Sequence, residues 1–426
     1  MAMNGPLVVG IDIGTSGVRA VAVDPTGAIA GDARTPMPPP LREGARIEQD
    51  PQVWVEAVTA TLDALFQSVD PASVAALAVD GTSGTIVGLD RDGGPVGTGL
   101  LYNDAAETAA AKAIAGAAPP TSAAHGATSG LAKAMAISRR PGVVAIAHQA
   151  DYIAALFSGR LVTDENNALK TGYDPIARCW PDWIATLGFD RALLPQALVP
   201  GTAIGPVTAA AAHRHGLRPE TLVAAGTTDG CASFLATGAD AIGDGVSALG
   251  TTLTLKLLSD QPIFSPRHGV YSHRLGERWL AGGASNSGGV ALLQHFSAQE
   301  MADLEPRLDP ARPTGLDYYP LPGTGERFPV ADPDLAPRLE PRPADAAQFL
   351  QGMLEGIAAI EARGYALLAE LGGPPLRRVL SLGGGARNAA WTAIRQHRLG
   401  VPVTLAQTDE AAYGCARLAR MALRTQ

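Results

Sequence analysis

A chain of 426 residues is too long for one ordinary hydrophobic core and fits two domains of roughly 200 residues each. The composition, 46% hydrophobic and 17% charged, can fill two cores and excludes a disordered chain. The formal net charge of −8 argues against general nucleic-acid binding, because no excess of Lys and Arg is available to neutralise phosphates.

Cysteine usage and the N-terminal sequence predict where the protein resides. The three cysteines lie far apart and form no CxxC pair, which argues against a disulfide framework and a structural zinc site. The first 14 residues lack the basic segment of a signal peptide. No apolar run reaches the ~18–20 residues that span a bilayer. We therefore expect a cytoplasmic protein that contacts no membrane.

The first half of the chain predicts strands that lead into glycine turns. Residues 7–13 and 18–24 are rich in Val, Ile and Ala, as in buried strands, and they flank the turn at 14–17. Asp50 and Pro51 are typical of a helix start, and that helix runs to about residue 66. A third strand at 74–79 precedes a turn at 80–85, and further helices are predicted within 105–116, 142–157 and 206–215.

Similar units recur from about residue 222 onwards. Strands are predicted at 222–225, 246–249, 253–258 and 379–382, and the glycine turns 226–230, 250–252 and 383–385 follow three of them. Residues 303–345 are rich in Pro and Gly and predict a long surface excursion before a helix at 345–371. The Gly-Thr turns near residues 14 and 250, one in each half, suggest a duplicated architecture whose halves face one another across a cleft.

Several common catalytic motifs are missing from the sequence. No Gly-Lys dipeptide occurs, so there is no Walker A loop. Gly10, Gly14 and Gly17 have the spacing GxxxGxxG with a strand after them, which does not fit the Rossmann fingerprint. Ser83 lies in GTSGT, which is not the GxSxG nucleophile elbow.

The Gly-Thr turns offer a site for phosphate. Successive N–H groups and a hydroxyl at the end of a strand form an anion-binding nest. Asp12, beside the first turn, is placed to hold Mg²⁺ through water. The alternative is a tight hairpin in which glycine permits the backbone conformation and Asp12 caps the turn.

Two further positions carry candidate chemistry. Asp229, at a predicted helix start, is either an N-cap or a general base that accepts a hydroxyl proton during phosphoryl transfer. The turn 383–385 is either a plain strand-to-helix connection or a surface on which the ribose or the base of a nucleotide lies against bare backbone. In the second case Asn388 is placed to contact the edge of the base.

Four motifs in order resemble those of the FGGY carbohydrate kinases, and together they cover nearly the whole chain. Residues 10–20 (GIDIGTSGVRA) resemble the first phosphate motif, and residues 225–238 (AGTTDGCASFLATG) resemble the segment of the catalytic base. Residues 247–252 (SALGTT) resemble the second phosphate motif. The adenosine motif and closing helix are similar to residues 383–391 (GGGARNAAW), 399–403 and 410–419.

Within this family, the chain is most similar to the short ketopentose kinases of cyanobacteria and plant plastids, described as D-ribulose kinases or xylulose-kinase-like proteins. The similarity lies in DGTSGT (80–85), LYND (101–104), SGLAK (129–133), NALKTGY (167–173), GVYSH (269–273) and GLDYYPL (315–321). Two features depart from the wider family. Many members are longer, and residues 101–105 lack the Arg or Trp that usually contacts the sugar.

The resemblance implies two actin-like (ribonuclease-H-like) α/β domains, 1–232 for the sugar and 233–426 for ATP. It implies a kinase that transfers phosphate from ATP to a ketopentose, with D-ribulose as the expected substrate, and that is a monomer or homodimer. Catalytic roles fall to Asp12, Thr15 and Asp229, with Mg²⁺ held by Asp12. The implied ATP and phosphate contacts are Gly14, Thr15, Ser16, Gly250, Thr251, Thr252, Gly383, Gly384, Gly385 and Asn388. The implied sugar contacts are Ser16, Asp80, Ser83 and Asp229.

Three alternatives remain open from sequence. The first is a kinase for D-xylulose or another polyol. The second is an actin-like nucleotide-dependent regulator without a sugar substrate, which would not need Asp229. The third is a bare sugar-binding module, which would not need the turn 383–385.

Overall fold

The computed structural model describes residues 5–424, so part of the N-terminal stretch judged not to be a signal peptide lies outside the described residues. Its strands are β1 (Leu7–Ile13), β2 (Gly17–Val23), β3 (Ile29–Pro36), β4 (Leu41–Glu43), β5 (Arg46–Gln49), β6 (Val74–Gly81), β7 (Ile86–Leu89), β8 (Gly99–Leu100), β9 (Ala145–His148), β10 (Thr163–Asp164), β11 (Ala197–Leu198), β12 (Ala203–Pro206), β13 (Leu222–Thr228), β14 (Asp244–Leu249), β15 (Leu253–Ser259), β16 (Tyr271–Leu275), β17 (Arg278–Ala284), β18 (Arg378–Leu382) and β19 (Val403–Leu405).

The helices are α1 (Pro51–Leu65), α2 (Thr108–Ala117), α3 (Gly130–Ile137), α4 (Gln149–Ser158), α5 (Glu165–Leu169), α6 (Ala209–His215), α7 (Asp229–Ala236), α8 (Gly289–Leu293), α9 (Ala298–Leu304), α10 (Ala346–Glu370), α11 (Ala389–Leu399) and α12 (Ala411–Ala422). Short 3₁₀ helices cover Pro71–Ser73, Asp182–Leu187, Arg191–Leu193, Pro266–His268, Glu305–Arg307 and Gly384–Arg387. Within residues 5–424, none of the helices is both long and apolar enough to cross a membrane.

The chain divides into two compact units. Among the described residues, the first unit comprises the chain up to Ala236, His273–Gly276 and the residues from Asp409 onwards. The second comprises Thr237–Ser272 and Glu277–Thr408. This division differs from the predicted boundary after residue 232 chiefly because the C-terminal helix α12 packs against β1, β6 and α7 of the first unit.

Both units are built on a sheet of the same topology. In the first unit β3, β2, β1, β6 and β13 are neighbours in that order, and β12 extends the edge beyond β13. β2 is antiparallel to β1 and β3, whereas β1, β6 and β13 are parallel. In the second unit β17, β15, β14, β18 and β19 repeat this order and these directions. The duplicated α/β architecture predicted from the sequence is therefore confirmed.

Helices cover both faces of the first unit's main sheet. One hydrophobic cluster lies under α1 and α4, and a second lies under α12. Gly10 permits the close approach of α12, because a Cβ there would overlap the backbone of Ala412. Gly414 permits the close approach of α12 to α7, because a Cβ on Gly414 would overlap the backbone of Ala232. Small residues at these points let a helix lie directly on the sheet.

Two local predictions need correction, whereas the helix predicted within 142–157 is present as α4. The strand β9 precedes α4 and pairs with β7 through residues 145–148. Gly226 to Thr228 belong to β13 rather than to a turn, because Thr227 and Thr228 continue the pairing with β6. The stretch 303–345 lacks long elements, yet it buries Tyr318, Leu321 and Phe328. Phe328 fits because Gly283 and Gly364 leave room for its ring.

Candidate active site

The first unit brings three predicted aspartates to the carboxyl ends of adjacent parallel strands. Asp12 on β1 lies opposite Asp80 on β6, and Asp80 lies opposite Thr227 on β13. Asp229 follows directly as the first residue of α7. Ligands of open α/β sheets bind at this edge, because loops and helix starts converge there.

Burial and mutual repulsion shape the charge of this group. Burial raises the pKa of Asp12 to about 6, and the charge of Asp229 also raises it. Burial and the charge of Asp12 hold the pKa of Asp80 well above its usual range. Asp80 interacts with Asp12 through a side-chain hydrogen bond and with the Cys415 thiol, and the Arg19 guanidinium lies 4.0 Å from Asp12. A buried carboxyl pair with so little compensation is typical of a functional site rather than of a structural one.

The aspartates are suited to a cation held through water. Among residues 5–424, no set of three or more His, Cys, Asp and Glu side chains is arranged to ligate a metal directly. Mg²⁺ commonly keeps several waters and takes one or two carboxylates plus substrate phosphates. The paired carboxyls of Asp12 and Asp80 fit that mode of binding, and the magnesium contact of Asp12 stays a prediction.

Asp229 lies at the start of α7, directly after β13. Its side chain is half-buried, and its Oδ1 accepts a hydrogen bond of 2.7 Å from the backbone N–H of Gly230. This hydrogen bond orients the carboxylate at the start of the helix. An N-cap would precede the helix, whereas Asp229 is its first residue.

The turn after β1 is a tight hairpin, which was the alternative interpretation of its glycines. The N–H of Gly14 donates to the carbonyl of Gly17 at 3.0 Å, and the Met37 N–H donates to the carbonyl of Ser16. Thr15 and Ser16 occupy the tip, with Ser16 exposed. A hairpin tip of this kind can still present its N–H groups and hydroxyls to a phosphate.

The turn after β6 carries the predicted Ser83 and lies beside a buried lysine, Lys133, for which no role was predicted. Ser83 carries a buried hydroxyl without a partner, and Gly84 has a φ of +89°. A Cβ on Gly84 would lie 3.8 Å from Lys133 Nζ and 3.9 Å from the side chain of Lys170. Lys133 is fully buried, and burial lowers its pKa to about 7. Its ammonium donates to the carbonyls of Leu101 and Tyr102 at 2.8 and 3.3 Å.

Buried acceptor oxygens without partners continue around this region. The Oδ1 of Asn103 has no hydrogen-bond partner. The preceding residue, Tyr102, donates its N–H to the hydroxyl of Thr85, beside the same turn. On α5, the Asn167 Oδ1 and one Glu165 oxygen are also unpartnered. The helix α5 is tied to the strand ends because Asn166 donates to the Thr227 hydroxyl at 3.0 Å. Asn103 and Asn167 lie in two of the quoted motifs, LYND and NALKTGY, but no role was predicted for them because only long-range packing brings them to this region.

The second unit contains a cavity of about 490 Å³ at the corresponding sheet edge. The turns at Gly250 and Thr251 and at Gly384 to Asn388 form part of its wall. The other walls are mostly apolar, and their side chains are Leu292, Leu293, Ala298, Met301, Ala302, Leu350, Leu354 and Trp391. Leu293 is 58% exposed at the mouth of this apolar wall. The predicted Thr252 is next in sequence and is half-buried.

The glycine turn after β18 is open toward this cavity. Gly383 has a φ of +81°, which favours glycine. Nothing lies within 4 Å of the position a Gly384 Cβ would occupy, whereas a Cβ on Gly385 would overlap the Trp391 ring. Bare backbone therefore faces the cavity, as predicted. Asn388 is the N-cap of α11, since its Oδ1 accepts from the Trp391 N–H at 2.6 Å.

A buried ionic network supports both turns of the second unit. The Arg395 guanidinium donates to both oxygens of Glu361 at 2.6 and 2.7 Å, and both residues are fully buried. Ser247 on β14 donates to Glu361, and Arg395 donates to Ser381 on β18. The network thus joins the two strands that lead into the turns. No local pattern in the sequence predicted it.

Comparisons with known proteins agree with this architecture. Residues 7–117 match the N-terminal domain model, and residues 245–423 the C-terminal domain model, of the FGGY family of carbohydrate kinases. The xylulose kinase of Streptomyces coelicolor is 29% identical over 96% of this chain and 86% of its own length. The xylulose kinase of Streptomyces rubiginosus is also 29% identical, over 92% of this chain and 82% of its own.

Solved structures show the same fold. The xylulose kinase of Rhodospirillum rubrum superposes with a TM-score of 0.86 at 23% identity, over 97% of this chain and 89% of that one. The two duplicated sheets therefore have the actin-like, ribonuclease-H-like fold of the sugar kinases. The chain belongs to the FGGY family of carbohydrate kinases, and it is an ATP-dependent sugar kinase. This decides the open alternatives against the regulator and the bare sugar-binding module.

Proposed function

We propose that the protein phosphorylates a ketopentose, with D-ribulose as its preferred substrate and D-ribulose 5-phosphate as product. One observation carries the proposal of a polyhydroxylated substrate: unpartnered buried oxygens lie on the segments around the strand ends of the first unit. Ser83, Asn103 and Asn167 contribute them. Sugar hydroxyls are donors and would satisfy these acceptors. The sugar would therefore bind the first unit and ATP the cavity of the second.

In the proposed reaction, the terminal hydroxyl of the sugar attacks the γ-phosphorus of ATP, and ADP leaves. Asp229 orients the hydroxyl and accepts its proton as the O–P bond forms. The turns Gly14 to Ser16 and Gly250 to Thr252 would bind phosphate oxygens through their N–H groups and hydroxyls. Mg²⁺, held through water by Asp12, would supply charge neutralisation. Catalysis would rest on positioning and electrostatics.

The preference for D-ribulose rests on small hydroxyl residues in two turns, Ser16 after β1 and Ser83 after β6. D-Ribulose and D-xylulose differ only in the configuration at C3, so one hydroxyl decides between them. A site that hydrogen-bonds a hydroxyl strongly rejects a misplaced one, because its own buried polar groups are then unpaired. Ser16 and Ser83 are small hydroxyl residues suited to a compact ketose.

The second candidate is a D-xylulose kinase, which the names of the two Streptomyces relatives favour. An assay that couples ADP release to NADH oxidation, run with both sugars and glycerol, distinguishes the two. We expect a kcat/KM for D-ribulose at least about tenfold above that for D-xylulose, or roughly 1.4 kcal/mol. A preference for D-xylulose or glycerol would disprove D-ribulose as the preferred substrate but would still agree with a sugar kinase activity.

A further inference from the structure

The cavity of the second unit has an uneven distribution of hydrogen-bonding groups. Its long walls are apolar, so they can hold a flat ring without distinguishing one purine from another. Polar side chains gather where α11 begins: Glu305, Arg387 and Asn388 line the cavity there. Any selection between bases must come from these groups.

The amide of Asn388 is fixed in one orientation. Its Oδ1 accepts the 2.6 Å bond from the Trp391 N–H at the start of α11. The Nδ2 group is therefore the part of the amide left for a ligand, and it can only donate. A donor suits the ring nitrogens of adenine and the O6 of guanine alike, so Asn388 does not discriminate between the two bases.

Glu305, beside Asn388, supplies a hydrogen-bond acceptor, whereas the free group of Asn388 is a donor. One of its oxygens accepts a 2.9 Å hydrogen bond from the N–H of Ala389, the residue after Asn388. The backbone thus holds the carboxylate at the cavity wall and leaves its second oxygen for a ligand. Arg387 can only donate, so Glu305 is the one carboxylate among the described residues that line the cavity.

We infer that Glu305 selects adenine over guanine by accepting a hydrogen bond from the exocyclic amino group of adenine. Guanine carries a carbonyl oxygen at the equivalent position, which would face the carboxylate with no proton between them. A site that hydrogen-bonds one partner disfavours the analogue that leaves its polar group unpaired, and the half-buried Glu305 carboxylate is only partly open to water that could replace that bond. The inference rests on the proposed binding of the nucleotide in this cavity.

The substitution Glu305→Gln tests the inference with little change in shape. The glutamine Oε1 can still accept from the Ala389 N–H, so the start of α11 keeps its hydrogen bond. The outward atom becomes a donor, which suits guanine. Asp303→Asn is the matched control, because Asp303 is an exposed acid on the neighbouring helix α9 and does not line the cavity.

We expect Glu305→Gln to lower the ratio of kcat/KM for ATP to that for GTP by at least about tenfold, and Asp303→Asn to leave it unchanged. A second variant, Gly384→Val, places a branched side chain at the open face of the glycine turn. If it raises the KM for ATP while Glu305→Gln leaves the ratio unchanged, the role of Glu305 is wrong and the nucleotide site stands. If folded Gly384→Val leaves the KM for ATP unchanged, the proposed nucleotide site fails, and the inference fails with it.

Discussion

Replacement of Asp229 by Asn separates a general base from a structural residue at the same position. The Asn side chain also offers an oxygen to the Gly230 N–H, which Asp229 now binds at 2.7 Å. The start of α7 should therefore keep its local hydrogen bond, and stability should change little. The ability to accept a proton is lost, so turnover should fall by about 10²–10⁴-fold, which corresponds to roughly 3–5 kcal/mol in the barrier.

The loss of charge also has a consequence that can be measured without substrate. The carboxylate of Asp229 helps to raise the pKa of Asp12 to about 6. In Asp229→Asn the Asp12 pKa should therefore fall, and a carboxyl-carbon NMR titration would detect the change. The assay for turnover is coupled ADP release at saturating sugar and ATP. Asp190→Asn, at the exposed N-cap of another short helix, is the control for an Asp-to-Asn change at a helix start. Near-native turnover in folded Asp229→Asn would refute the base assignment.

Two other substitutions test the supporting structure. Arg395→Met leaves the fully buried Glu361 without its cation and should lower the free energy of unfolding by about 3–5 kcal/mol, as measured by urea denaturation. The control, Arg398→Met, changes an exposed residue of the same helix and should have little effect. Equal effects of the two substitutions would contradict a stabilising role of the buried ion pair. Burial lowers the pKa of Lys133 from 10.5 to about 7, and the charge of Asp104 opposes this shift. Between about pH 7 and 10.5, Lys133 is therefore neutral in the folded protein and charged in the unfolded chain. Its contribution makes stability rise with pH from about 7 towards 10.5, by at most about 1.4 kcal/mol per pH unit. Lys133→Met should flatten that rise and the exposed Lys112→Met should not, so an unchanged slope in Lys133→Met would show that the buried amine keeps its proton.

Sequence reasoning located the groups whose position depends on a few neighbouring residues. The turn at Gly14, the turn at Gly383 and the helix start at Asp229 are each encoded within about six residues, because a strand must end and glycine must permit the turn. Asp12 and Asp80 were placed correctly at strand ends, and the strand register then explains why their charges interact.

The remaining site residues depend on packing between distant segments. Lys133 reaches the turn after β6 because α3 lies against β7. Glu305 reaches the start of α11 across a long separation in sequence, and Arg395 finds Glu361 in the same way. An isolated Lys or Glu in a helical pattern predicts a solvated surface, so only the tertiary structure reveals such partners. The position of α12 in the first unit was missed for the same reason.

The return of α12 to the first unit affects how the chain can fold during synthesis. Residues 411–422 cover the sheet face that carries Val8, Ala76 and Ala78, yet the ribosome makes them only after the whole second unit. At about 5–20 residues per second, that apolar face would wait on the order of ten seconds or longer for its own helix. The nascent first unit therefore exposes a surface that a holding chaperone can bind, and a chain that ends before α12 would leave this core open rather than form a free-standing half.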